Sequence, residues 1–197
     1  TIDYVVVKIP RWNFEKFPQA DRTLTTQMKS VGEAMSIGRT FKEAFLKAVR
    51  SLEHGKRGTL FPTGPETLFE DWEEDDSALR RRLVVPTDRR MWAVFRALQR
   101  GWSIDTLHEL TNIDPWFLEQ FHEIVELRQM AALGPFRELT TDLLRTLKRA
   151  GFSDEEIAWL GWVCARAAAG SPGDVRAVHL PARAPGRAAR HTDSRTH

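Results

Sequence analysis

Apolar positions fall into three regimes along this chain. Ile2, Tyr4, Val5, Val6, Val7 and Ile9 crowd the start. The β-branched run predicts a strand over residues 2–9, closed by Pro10. No partner strand is evident downstream, because residues 11–39 carry no long period and read as irregular. From Phe41 the spacing changes. Phe41, Ala44, Phe45, Ala48, Val49 and Leu52 recur at helical intervals behind a capping box, Thr40-x-x-Glu43, and Gly55 suits the stop. This helix has one apolar face and needs a surface to cover. Strand and helix therefore read as the end of a unit whose sheet lies elsewhere, and residues 1–55 are expected to expose an unpaired strand and an uncovered helix face.

Residues 56–76 read as a linker. Gly58, Pro62, Gly64 and Pro65 break structure, and the acidic run Glu70 to Asp76 is a solvated one. Adjacent carboxylates on a loop rarely converge on a cation without a fixed backbone.

Residues 77–165 read as all-helical. Ser77 is the expected start of a helix through Leu83. Thr87 is the expected cap of one carrying Trp92, Phe95 and Leu98, ended by Gly101. Ser103 caps a short helix with Ile104, Leu107 and Leu110. Asp114-Pro115 combines an N-cap with a proline at the first helical position. The helix behind it is expected to bury Phe117, Phe121, Ile124 and Val125, with Leu118 and Leu127 as further candidates, and to stop near Gly134. Thr140 or Thr141 starts a helix with Leu143, Leu144 and Leu147, stopped by Gly151. Ser153-x-x-Glu156 opens the last, through Ile157, Ala158 and Leu160. The strings Gly101-Trp102-Ser103 and Gly151-Phe152-Ser153 echo one another: a C-terminal glycine, an aromatic plug and a serine cap. Residues 166–197 lose apolar periodicity, turn rich in Arg, Ala, Pro, Gly and His, and are expected to be disordered.

Composition adds little. Of 197 residues, 42% are hydrophobic and 28% charged, with a net charge of +2. That balance demands neither nucleic acid nor membrane as partner. Cys164 is the only cysteine, which excludes an internal disulfide and makes a reducing, cytoplasmic setting the default. No stretch reaches the ~18 apolar residues of a membrane span.

Candidate chemistry is sparse. His54, His108 and His122 lack ligand spacing, and His179, His191 and His197 lie in the tail. His122 and Glu126 are one helical turn apart, which suits a solvated pair better than a metal. Cys164 has no histidine beside it in sequence and reads as a structural thiol. No nucleophile elbow, Walker loop or G-x-G-x-x-G occurs. The runs Arg80-Arg81-Arg82 and Arg89-Arg90, with Arg145, Lys148 and Arg149, are the residues a phosphate backbone would contact. Interspersed acidic residues over 103–126 argue against nucleic acid.

One long string is more specific than any of these. Asp3-Tyr4-Val5-Val6-Val7-Lys8-Ile9-Pro10-Arg11, Lys16-Phe17-Pro18 and Leu24 to Thr40 (LTTQMKSVGEAMSIGRT) resemble the end of the first ATP-grasp unit of the carbamoyl-phosphate synthase large subunit. Leu110 to Leu118 (LTNIDPWFL) and Leu147 to Asp154 (LKRAGFSD) resemble the oligomerisation domain that follows that unit. The resemblance covers roughly residues 1–160 and fades after about Leu160.

The resemblance implies a mainly α chain: a C-terminal remnant of an α+β ATP-grasp domain over 1–55, a linker over 56–76 and an all-helical oligomerisation domain over 77–165. The tail over 166–197 matches nothing in that family; it is expected to be disordered, and its composition is one that an out-of-frame reading of a GC-rich gene would produce. It implies a fragment of an ATP-dependent carbon–nitrogen ligase making carbamoyl phosphate from bicarbonate and glutamine-derived ammonia, for pyrimidine and arginine synthesis. The parent would use ATP and Mg2+ or Mn2+ and a glutaminase small subunit. The family's nucleotide and metal ligands precede the first residue here, so no catalytic, cofactor-binding or metal-binding residue carries over and the chain alone is expected to be inactive. Residues 24–40 would buttress the sheet, line a path for ammonia or carbamate, or make a polar contact through Lys29, Glu33 or Arg39. Self-association through the helices is the expected partnership. The other reading is a free-standing helical interaction module without catalysis. Retention of Val5 to Ile9 and Phe41 to Leu52 speaks against it.

Overall fold

The computed structural model describes residues 3–52, 60, 75–132 and 140–168, the last helix by its backbone alone from 162. The expected linker apart from residues 60, 75 and 76, the acidic residues Glu70 to Glu74, His54, Gly55, Gly134 and the tail beyond Ala168 lie outside them, as do the side chains of Trp162 and Cys164; Asp76 and residues 166–168 belong to helices.

The first strand, β1 (Val5–Trp12), runs through Pro10 rather than ending there. It has one partner among the described residues, and a proline is tolerated on a strand with a free edge. That partner is β2 (Ser30–Gly38), antiparallel, in a register that sets Val6 opposite Ile37 and Lys8 opposite Met35. The expectation of an unpaired strand followed by an irregular 11–39 is corrected here. β2 does alternate, but its inward residues are the small Ala34, Ser36 and Gly38, while Val31, Met35 and Ile37 face out. The reason is proximity. A Cβ on Gly38 would stand 2.7 Å from the Ala44 amide nitrogen, so the face under the next helix has no room for bulk.

That helix is α1 (Phe41–Ser51). The Thr40 side chain accepts from the Glu43 amide, and the Glu43 carboxylate accepts from the Arg39 amide at 2.8 Å. α1 is covered, not bare. One side lies on β1 and β2, and the other enters the helical core.

Six further helices follow among the described residues: α2 (Asp76–Val84), α3 (Arg90–Gln99), α4 (Ile104–Thr111), α5 (Pro115–Ala132), α6 (Thr141–Ala150) and α7 (Asp154–Ala168). Two expected caps move. α2 is capped by Asp75, whose carboxylate accepts from the Ala78 amide, not by Ser77, which instead donates its hydroxyl to Asp75. α3 has no side-chain cap, since Thr87 accepts from Arg89 one residue too early. Ser103, Asp114, Thr140 and Ser153 cap as expected. Within α5 the inward face holds Leu118, Phe121, Ile124 and Val125, and Phe117 is exposed.

A single core joins these elements. Phe45, Leu46 and Val49 of α1 pack with Phe95 of α3, Phe121 and Ile124 of α5, Leu147 of α6, and Phe152. The Phe45 ring lies 4.9 Å from Phe121 and 5.9 Å from Phe95 between centroids.

The two echoing corners share one geometry. Gly101 and Gly151 both take positive φ, and the next amides, Trp102 and Phe152, donate back to Ala97 and Leu147, each at 3.1 Å. They differ in surroundings. A Cβ at Gly101 meets open space, whereas one at Gly151 comes within 2.9 Å of the Glu43 Cα. Gly101→Ala is expected to cost about 1–2 kcal/mol of left-handed strain. Gly151→Ala should add a packing cost of about 1–3 kcal/mol to the same strain. Urea unfolding of the two variants checks this, and equal losses would refute the close contact with α1.

Candidate functional site

The three residues singled out for polar contacts do not converge. Lys29 is tied into the loop before β2, its Nζ donating to the Thr23 carbonyl at 2.6 Å and the Asp21 carbonyl at 3.0 Å. Glu33 sits on the outer sheet face and pairs with Lys8 at 2.9 Å, both side chains more than half exposed. Arg39 occupies the exposed β2–α1 corner, where its amide is bound by Glu43. The Glu43 carboxyl is held below the usual range chiefly by a hydrogen bond from Lys47, then by the Arg39 amide. Residues 30–38 build the strand on which α1 rests, and that is the role their geometry displays.

Histidine chemistry is equally local. His108 Nδ1 lies 2.8 Å from the Ile113 carbonyl oxygen, closing the α4–α5 turn in which Asn112 adopts the left-handed region. His122 and Glu126 face solvent at 3.9 Å. Among the described residues no group of three or more His, Cys, Asp or Glu is placed to hold a metal ion. No helix among them is long and apolar enough to cross a membrane.

What the described surface does offer is apolar area. The outer sheet face presents Tyr4, Val6, Val31, Met35 and Ile37, all exposed. A second patch forms where α1 meets the start of α5. Trp116 and Phe117 are 50% and 42% exposed, and both pack edge-on to Phe41 at 5.4 and 5.5 Å between ring centroids. Exposed aromatics held rigid by their neighbours are the usual anchors of protein interfaces.

Sequence reading missed the buried charges among the described residues. Arg128 of α5 and Glu156 of α7 are 6% and 4% exposed. Burial pulls the Arg128 guanidinium down to about 10, with Glu156 opposing that shift and Arg96 adding to it. Glu156 also accepts from the Ser153 amide at 2.8 Å and stands 3.6 Å from Arg50 of α1. The Ser153-x-x-Glu156 spacing was a signal for the cap alone. Nothing local pointed to charges arriving from α1 and α5. The arrangement binds three elements together and presents no open cleft to a substrate.

Residues 33–168 match the family described as carbamoyl-phosphate synthetase large chain, oligomerisation domain. The N-terminal section of the carbamoyl phosphate synthase large chain of Aquifex aeolicus is 52% identical over 158 residues, covering 80% of this chain and 27% of that protein. The corresponding section from Methanopyrus kandleri is 52% identical over 171 residues, covering 81% and 29%. The large chain of Xanthomonas campestris is 52% identical over 160 residues, covering 81% and 14%. The chain therefore spans under a third of the N-terminal sections and about a seventh of the large chain it matches.

Proposed function

We infer that this chain serves subunit assembly, because it belongs to the carbamoyl-phosphate synthetase large-chain family and carries that family's oligomerisation domain. The observation that supports this most is the extent of the family match, residues 33–168, which takes in most of β2 and every described α-helix. One hydrophobic core runs through the same span. The described residues thus share one core and carry apolar patches at their surface, which is the physical form an assembly module needs.

The reaction proposed for the larger protein is ATP-dependent formation of carbamoyl phosphate from bicarbonate and glutamine-derived ammonia, feeding pyrimidine and arginine synthesis in the cytoplasm, with a glutaminase subunit as partner. ATP and a divalent cation would supply the phosphoryl chemistry there. The residues described here do not group as metal ligands, so no step through either is assigned to them. The chain by itself is proposed to be inactive and to self-associate.

Sedimentation velocity of the full chain over a wide concentration range tests this. Mass should rise from 22.6 kDa to an integral multiple as concentration increases. A sharp monomer at every concentration would defeat self-association by this chain.

A further inference from the structure

We propose that residues 21–29 form a salt-sensitive clasp, which opens as one piece from the α2–α3 corner while the strands and helices around it stay folded. Residues 13–29 join β1 to β2. That is a long connection for two antiparallel neighbours, and long connections in compact units tend to be functional or unstructured. The far end of this one is bonded to itself. The Asp21 carboxylate accepts from the Thr23 amide at 2.9 Å, and the Thr25 hydroxyl oxygen from the Gln27 amide at 3.3 Å. Lys29 closes the loop through the Thr23 and Asp21 carbonyls.

Among the described residues, three ties fasten this piece to the corner between α2 and α3. The Leu24 amide donates to the Pro86 carbonyl at 2.7 Å, Thr23 and Thr87 form an isolated antiparallel bridge, and Arg22 engages both carboxylate oxygens of Asp88. The corner itself is firm. Arg90 donates to the Leu83 carbonyl at 2.7 Å and the Thr111 carbonyl at 2.9 Å, which ties α2, α3 and α4 together. The strands are held on their other side, where both rest on α1. A piece bonded internally, and held by few bonds between two packed bodies, opens locally at less cost than global unfolding.

Of the three ties, the ionic one decides. A two-pronged guanidinium–carboxylate contact is stronger than a single backbone bond. Arg22 also lies over the Phe14 ring at 5.2 Å, so one side chain joins the start of the loop to the corner. Its side chain is 36% exposed and that of Asp88 12%, which leaves the pair open to screening by salt. Shut, the clasp occupies the Pro86 carbonyl and the edge at Thr87. Open, it leaves both free to pair with another extended segment. The clasp stands whether or not the chain self-associates.

Amide hydrogen exchange of the full chain, resolved by NMR, tests this. The Leu24 amide reports the clasp, and the amides of the β1–β2 ladder and of α3 report the bodies on either side. Asp88→Asn and Arg22→Gln should each speed Leu24 exchange about tenfold. The two together should do no more than either alone, because both break the same tie. Ladder and α3 amides should stay within about twofold of the parent. In the parent, added chloride should also speed Leu24 exchange, an effect lost in Asp88→Asn. The salt series needs no substitution, so it tests the clasp even where a thermal melt shows that a variant folds poorly. Leu24 exchange unmoved by salt and by both variants, or rising only together with the ladder amides, would overturn the proposal. So would acceleration confined to α3, since Asp88 lies just before that helix and would then be serving its N-terminus.

Discussion

A chain begun at residue 75 is expected to keep its helices and lose its cooperative unfolding. Reading 77–165 as an all-helical domain of its own favours independent folding. The structure argues the reverse through α1. Phe45, Leu46 and Val49 are each under 5% exposed and sit among Phe95, Phe121 and Leu147. Burial of three such side chains contributes about 5–9 kcal/mol by area, comparable with the whole stability of an ordinary domain, ~5–15 kcal/mol. Polar ties go with them: Arg50 donates to the Gly151 carbonyl at 2.5 Å, and Lys42 pairs with Glu123. Residues 75–168 should therefore show helical far-UV dichroism, weak near-UV signal and dye binding, as loosely packed states do. In the full chain, Phe45→Ala alone should cost about 3–5 kcal/mol in urea unfolding. A cooperative transition of the shorter chain at the full chain's midpoint would show that α1 is an accessory, not part of the core.

The second large effect belongs to Glu156. Glu156→Gln keeps the shape and the acceptor for the Ser153 amide and removes one charge. Arg128, Arg96 and Arg50 would then share their surroundings without that carboxylate. Losing one partner of a buried ion pair costs about 3–5 kcal/mol. Glu155→Gln, exposed one position earlier on α7, should stay within about 0.5 kcal/mol of the parent. Replacing both partners, Arg128→Met with Glu156→Leu, should recover much of the loss, because no buried charge is then stranded. The double-mutant cycle reads the coupling directly. Near-additive losses would mean that Glu156 acts only as the cap of α7.

The contrast between what the residues announced and what they hid has a physical basis. Caps and corners are local bonds between a side chain and amides two or three positions away, so Thr40, Ser103, Asp114, Thr140 and Ser153 could be read one at a time. β2 was hidden because its inward positions are small, and its bulk, Val31, Met35 and Ile37, faces the other way. The choice between Phe117 and Leu118 as the buried residue of α5 depends on which neighbour arrives, and periodicity over one turn does not decide it. Arg128 with Glu156, and Arg22 with Asp88, join positions 28 and 66 apart in sequence; such pairs leave no trace in spacing. The same holds for the outward apolar patches, which look like core until the fold shows them on the surface.

α1 is a party wall: one side carries the hairpin, the other the helices, with no slack between. A displacement of either layer would have to be accommodated at the one helix that both share.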